Sequence, residues 1–213
     1  MKLSDVFAKY IKSIGVKAVF GLQGGAVVHF FDSLEKNKIN VTYTHHEESA
    51  ALAAVSNAKA TNNIGCAVFT TGPGSTNALT GLAAAWQDSV PVIFISGQAR
   101  SNHTSYGKKV RQVGTQEINI CDIVRPITKY TKFIKNKNNF VKELVKAKNI
   151  AISGRPGPVW LDIPLDLHWV DNSPKFKISK KKTKTSLKKN LNKYKKIKPL
   201  LKKSQRPIII MGY

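Results

Sequence analysis

Two near-continuous apolar runs, at residues 64–70 and 92–96, constrain this chain more than any other feature. Strands that read as unbroken hydrophobic runs are covered on both faces, the condition of a parallel sheet between helical layers. Residues 75–87, between them, have the small-residue composition and period of a helix. The unit is therefore strand, helix, strand, and the chain must cross over rather than turn back on itself.

The same alternation begins at the N-terminus. Ser4 can cap a helix with Val6, Phe7, Tyr10, Ile11 and Ile14 on one face, and Gly15 is its stop signal. Residues 16–20 read as a short buried strand, 21–25 as a glycine-rich loop and 26–36 as a helix. A strand is expected at 41–44, and an alanine-dominated helix at 47–60 that can pack close to its neighbours. Beyond the second apolar run, 97–117 is a long polar connection, of the kind that often carries function. A helix at 139–150 leads to a last strand at 158–163. The expected fold is α/β: a doubly wound parallel sheet with helices on both faces, in a domain spanning 1–168.

Charge marks a different region. The formal net charge is +23, but residues 174–206 hold fifteen Lys or Arg and no acid, leaving +8 for the rest. Thirty of the thirty-five cationic residues are lysine, whereas base-reading and phosphate-gripping surfaces favour arginine. This argues against nucleic acid as a partner. The segment reads either as a solvated linker and helix face or as a tail drawn to polyanions or membrane. We expect a basic linker at 169–186, a helix at 187–203, and the first strand of a second, truncated α/β domain at 206–213. On that reading the chain is a fragment or one half of a split gene product; the alternative is a complete protein with an unusual tail. No run is long enough to span a membrane, and the amphipathic N-terminus lacks a signal peptide's apolar core. Cys66 lies in an apolar run far from Cys121, so reduced thiols and a cytoplasmic location are expected.

In an open parallel sheet, ligands bind at the carboxyl ends of the strands. Three loops qualify: GLQGGA at 21–26, THHEESA at 44–50 and TTGPGSTN at 70–77. Glu47 opens a helix, where free backbone N–H groups favour a negative charge. Alone, it and Glu48 could be ordinary first-turn acids, and the Gly-Pro-Gly could be only a turn. His46 reads as a packing and hydrogen-bonding partner rather than a metal ligand, and His103 as a surface-loop residue, with a catalytic role as the alternative.

Together, in order and at this spacing, the stretches VFGLQGGAVVHFFDSL, HHEESAALAA, TTGPGSTNALTGLAAAWQDSVPVIFISGQ, DIVRPITKY and GRPGPVWLDIP resemble the N-terminal, pyrimidine-binding domain of thiamine-diphosphate enzymes. The resemblance is strongest to the acetolactate synthase (acetohydroxyacid synthase) large subunit and covers nearly four-fifths of the chain. It implies that Glu47 hydrogen-bonds N1′ of the cofactor's aminopyrimidine, favouring the tautomer whose 4′ nitrogen takes the C2 proton. It implies cofactor contacts from Leu22, Gly24, Pro73, Asn77 and Gln116, and substrate contacts from Gly25, Ala26 and Gln116. No metal ligand is expected here. The diphosphate and its Mg²⁺ belong to a C-terminal domain with a Gly-Asp-Gly motif that this chain lacks, and an FAD site, where present, involves the central domain. The implied activity is carboligation of pyruvate or another 2-oxo acid, in branched-chain amino acid biosynthesis, with the site completed by a homo-oligomer or a separate diphosphate-binding subunit. A 2-oxo-acid decarboxylase, a carboligase of another pathway and a non-catalytic isolated domain are the alternatives. The chain departs from the family pattern at Leu22 and Gln23 (usually Tyr and Pro), Ser49 (commonly Gly) and Thr115 (usually aromatic).

Overall fold

Alternate residues of the central strands face two separate hydrophobic cores. The structure, a computed structural model, describes residues 1–171, 195 and 197–210. The first body contains α1 (Leu3–Ser13), β1 (Ala18–Gly21), α2 (Val28–Lys36), β2 (Asn40–Tyr43), α3 (Glu47–Thr61), β3 (Gly65–Phe69), α4 (Pro73–Thr76), α5 (Leu79–Gln87), β4 (Val92–Gln98), α6 (Ile120–Val124), β5 (Tyr130–Phe133), α7 (Lys137–Ile152) and β6 (Val159–Pro164). The six strands form one sheet in the order β2-β1-β3-β4-β6-β5, every pair parallel.

Cys66 and Val68 of β3, Ile93 and Ile95 of β4, and Leu161 of β6 pack against α1, α2 and α7. Their neighbours Ala67, Phe69, Phe94 and Trp160 pack against α3, α5 and α6 on the other face. This period-2 division explains why the runs read as continuous: both faces are buried. The doubly wound α/β expectation therefore holds, with helices on both sides. Phe69, Phe94 and Trp160 stack across three strands with centroids 5.4–5.9 Å apart. A methyl on Gly81 would stand 2.4 Å from the Ala51 Cβ, so α5 and α3 meet almost backbone to backbone. Both cysteines are buried free thiols.

Four local expectations change. Ser4 is not a cap: Lys2 holds that position, and Ser4 is buried in α1 with its hydroxyl oxygen 2.9 Å from that of Ser33 in α2. The first amides of α1 are satisfied from afar, Leu3 N–H by the Val170 carbonyl and Ser4 N–H by that of His168, so no capping side chain is required. The helix expected at 75–87 is two helices, because the Ala78 amide bonds three residues back, to Ser75, and breaks the α pattern at Asn77–Ala78. No strand is expected from sequence at β5, an edge strand whose half-exposed residues dilute its apolar signal. The polar connection after β4 is displaced by two residues rather than shortened, running over 99–119, since β4 continues to Gln98 and α6 begins at Ile120.

The second unit contains α8 (Ile197–Lys203) among its described residues. The expected strand at 206–213 is not formed over 206–210, where no partner strand pairs with it among the described residues. Most of the expected linker, nearly all of residues 187–196 of the expected helix, and 211–213 lie outside the described residues.

Candidate functional site

The chain leaves β1 toward β2 on one side and β3 toward β4 on the other. Their carboxyl ends therefore part, and the crevice between them is where a doubly wound sheet binds ligands. The three loops singled out in the sequence all converge at this carboxyl edge.

Glu47 is the first residue of α3 and only 6% exposed. The helix is started by His46, whose Nδ1 accepts from the Glu48 amide at 3.3 Å, with Thr44 Oγ1 donating to the His46 carbonyl at 2.7 Å. His46 is thus a hydrogen-bonding cap, exposed rather than packed. Asn77 Nδ2 donates to Glu47 Oε2 at 3.0 Å. The other carboxyl oxygen faces glycine: a methyl on Gly74 would lie 3.1 Å from Glu47 Oε1 and 2.6 Å from Thr70 Cγ2.

Thr70 also receives the first loop, since a methyl on Gly24 would stand 2.5 Å from its Cβ. Gly24 is therefore needed for close approach of β1's loop to the end of β3. Leu22 is half-buried in the same loop. Nothing lies within 4 Å of where a Gly25 side chain would point, so the loop is open there. Ala26 is buried, its carbonyl held against Gly97 of β4, and anchors the loop next to that opening.

Gly72 has φ +62°, and a methyl there would fall 2.1 Å from the Gln116 carbonyl oxygen. The turn preceding Pro73 thus touches the backbone at Gln116, itself left-handed at φ +58°. Gln116, 69 residues from Glu47 in sequence, is brought to the same edge. Glu117 holds this loop in shape: its carboxylate accepts from Ser105 N–H at 2.6 Å, Ser105 Oγ at 2.5 Å and Val113 N–H at 3.0 Å. Burial pushes its carboxyl up, but these donors together outweigh burial and hold it below the usual range. Of the expected residues, Gly24, Glu47, Pro73, Asn77 and Gln116 are linked through contacts of their own segments, while Leu22, Gly25 and Ala26 border them. His103 is exposed in a 3-10 turn, as expected of a loop residue.

Behind the edge lies a polar cluster that the sequence reading misses. Asp162 of β6 is fully buried; Ser96 Oγ donates to its Oδ1 at 2.6 Å, and Gln98 Nε2 to its Oδ2 at 3.0 Å. Burial pushes its carboxyl up to about 7, against the pull of the Ser96, Gln98 and Tyr106 hydrogen bonds. The signal was present: one acid in the apolar run VWLDIP falls on a strand position that must be buried. Among the described residues, no group of three or more His, Cys, Asp or Glu is placed to hold a metal ion, and no helix is long and apolar enough to cross a membrane.

A six-stranded parallel α/β domain with a buried carboxylate at its switch point defines the class: a ligand-binding domain of the doubly wound type. Comparison with known proteins narrows this. Residues 1–123 match the family described as "Thiamine pyrophosphate enzyme, N-terminal TPP binding domain", and the chain belongs to that family. It is 38% identical over 167 residues to a probable acetolactate synthase large subunit of Methanocaldococcus jannaschii, covering 78% of this chain and 27% of that protein. It is 39% identical over 154 residues to the acetolactate synthase isozyme 3 large subunit of Escherichia coli, covering 72% and 26%. The large subunit of Lactococcus lactis is 33% identical over 219 residues, covering 98% and 36%. The chain thus spans about a quarter to a third of the length of these relatives.

Proposed function

We propose that this chain supplies the aminopyrimidine-binding half of a thiamine-diphosphate-dependent carboligase resembling acetolactate synthase, acting on pyruvate or another 2-oxo acid. The observation that carries this is the Glu47 carboxyl: buried, held at one oxygen by Asn77, and with glycine beside the other. A planar ring nitrogen fits such a place, because the free oxygen can share a proton with it while Asn77 keeps the carboxyl from turning away. When bound, the cofactor supplies the carbanion chemistry of 2-oxo-acid decarboxylation and carbon–carbon bond formation.

The chain's own residues bind and orient. Glu47 holds and returns a proton at the ring nitrogen. Leu22, Gly24, Pro73 and Asn77 border the ring. Gly25, anchored by Ala26, and Gln116 border the approach of the 2-oxo acid. The diphosphate, its Mg²⁺ and any FAD belong outside residues 1–168, on a C-terminal domain or separate subunit that completes the site, and residues 187–213 begin the central domain. The enzyme works in the cytoplasm.

The experiment is reconstitution with a diphosphate-binding partner and measurement of pyruvate turnover, with acetolactate and acetaldehyde quantified separately. Acetolactate is expected. Acetaldehyde alone would make the protein a decarboxylase, and failure to bind thiamine diphosphate with any partner would end the enzyme reading. Glu47→Gln keeps the shape but loses proton exchange, and is expected to lower turnover on the order of 10²-fold. Unchanged turnover would remove Glu47 from this role.

A further inference from the structure

The turn at Gly72–Pro73 and the loop carrying Gln116 come from distant parts of the chain, yet one buried amide touches both. Gln98, at the end of β4, is 1% exposed. Its Oε1 accepts from Thr71 Oγ1 at 2.7 Å and from the Ala99 amide at 2.9 Å. Its Nε2 donates to the Ile118 carbonyl at 2.9 Å and to Asp162 Oδ2 at 3.0 Å. The amide's orientation is dictated by the backbone: an N–H can only donate and a carbonyl can only accept. All four of its bonding positions are therefore used, two on each side.

Thr71 immediately precedes Gly72, and Ile118 lies two residues beyond Gln116. Tyr106, from the far end of the same loop, reaches the same carboxyl, its hydroxyl 3.3 Å from Asp162 Oδ2, with its ring stacked on Phe133 at 4.0 Å. Asp162 is fixed in turn by Ser96, whose hydroxyl oxygen accepts from Trp160 Nε1 at 2.8 Å. The loop is thus shaped internally by Glu117 and tied to the sheet through Gln98 and Asp162. The bare Cα of Gly72 lets turn and loop meet at backbone contact.

We propose that Gln98 is a positioning residue that locks the Gly72–Pro73 turn to the Gln116 loop, so that the two limbs of the cofactor pocket keep one geometry. The proposal rests on the reading of this edge as a cofactor site. It explains why a fully bonded polar side chain occupies the buried end of a central strand, where leaving any of its groups unpaired would be costly.

Two variants test it. Gln98→Glu keeps the shape but turns the donor facing Ile118 and Asp162 into an acceptor. Thr71→Val removes the hydroxyl that donates to Gln98 Oε1 and leaves the backbone contact of Gly72 with Gln116 in place, so it tests the Gln98 link separately from that contact. Ile11→Ala, on the buried face of α1, serves as a control of comparable thermal destabilisation. Hydrogen exchange is measured on the full chain without cofactor. In both variants the Ser105 and Val113 amides, bonded to Glu117, are expected to exchange at least about ten-fold faster, and in Ile11→Ala at the wild-type rate. In the reconstituted protein the Kd for thiamine diphosphate is expected to rise about ten-fold in the two variants and to stay unchanged in the control. Wild-type exchange in Thr71→Val, or equal acceleration in Ile11→Ala, overturns the proposal. If the wild-type protein binds no thiamine diphosphate, the functional reading fails, and the exchange measurement by itself still decides whether Gln98 couples turn and loop.

Discussion

Replacing Asp162 by asparagine should remove the pH dependence that this one buried carboxyl imposes on the fold. In the folded chain its pKa is pushed from the ordinary 3.8 up to about 7 by burial. The folded chain therefore holds this proton more tightly than the unfolded one. The contribution to stability is greatest below about pH 4, declines as pH rises toward about 7, and is level above that. At about 1.4 kcal/mol per unit, the whole decline is about 4 kcal/mol, of which about 3 kcal/mol falls between pH 5 and 8. The introduced asparagine can direct its carbonyl oxygen to Gln98 Nε2 and its amide to Ser96 Oγ, reproducing the protonated acid without the titration. The neighbours do not blur this window. Burial raises the thiol of Cys121 to about 12 and the hydroxyl of Tyr106 further still, and the Glu117 carboxyl lies below its usual range. Urea denaturation at half-unit steps from pH 5 to 8 is the assay, and subtracting wild type from Asp162→Asn cancels every other group. The variant should gain about 3 kcal/mol on wild type across the range, roughly 5–10 °C in Tm. Parallel curves would mean that the carboxyl is ionised throughout, and would refute the argument that burial outweighs its hydrogen bonds.

Gly81→Ala should destabilise the fold by about 1–3 kcal/mol in the same assay, because its new methyl meets Ala51 at 2.4 Å where α5 and α3 cannot separate without opening the core. Glu117→Gln should loosen the loop it closes, with cleavage by trypsin at Lys108, Lys109 or Arg111 rising on the order of ten-fold as charged acceptor bonds are lost. An unchanged cleavage rate would mean that the loop is held elsewhere.

Periodicity made the parallel sheet legible, because a strand covered on both faces needs apolar residues at every position, and that leaves a continuous run at 64–70 and 92–96. Edge strand β5 escaped because half-exposed residues relax the requirement. Ser4 misled because capping was read as a local matter, whereas His168 and Val170, from the other end of the domain, satisfy those amides.

By itself, the sequence determined the α/β class, the three loops at the carboxyl edge, and Glu47 as the acid that opens α3. Gln116 was added to them only by the resemblance to thiamine-diphosphate enzymes. Only the tertiary structure decided how these parts meet: Asn77 on Glu47, Gln116 on Gly72, and Gln98 with Asp162 binding the limbs from behind. The physical reason is range. Hydrophobic period and helix-start signals act over a few residues and leave local traces, whereas a buried hydrogen bond between residues 64 apart, such as Gln98 to Asp162, exists only once the strands have paired.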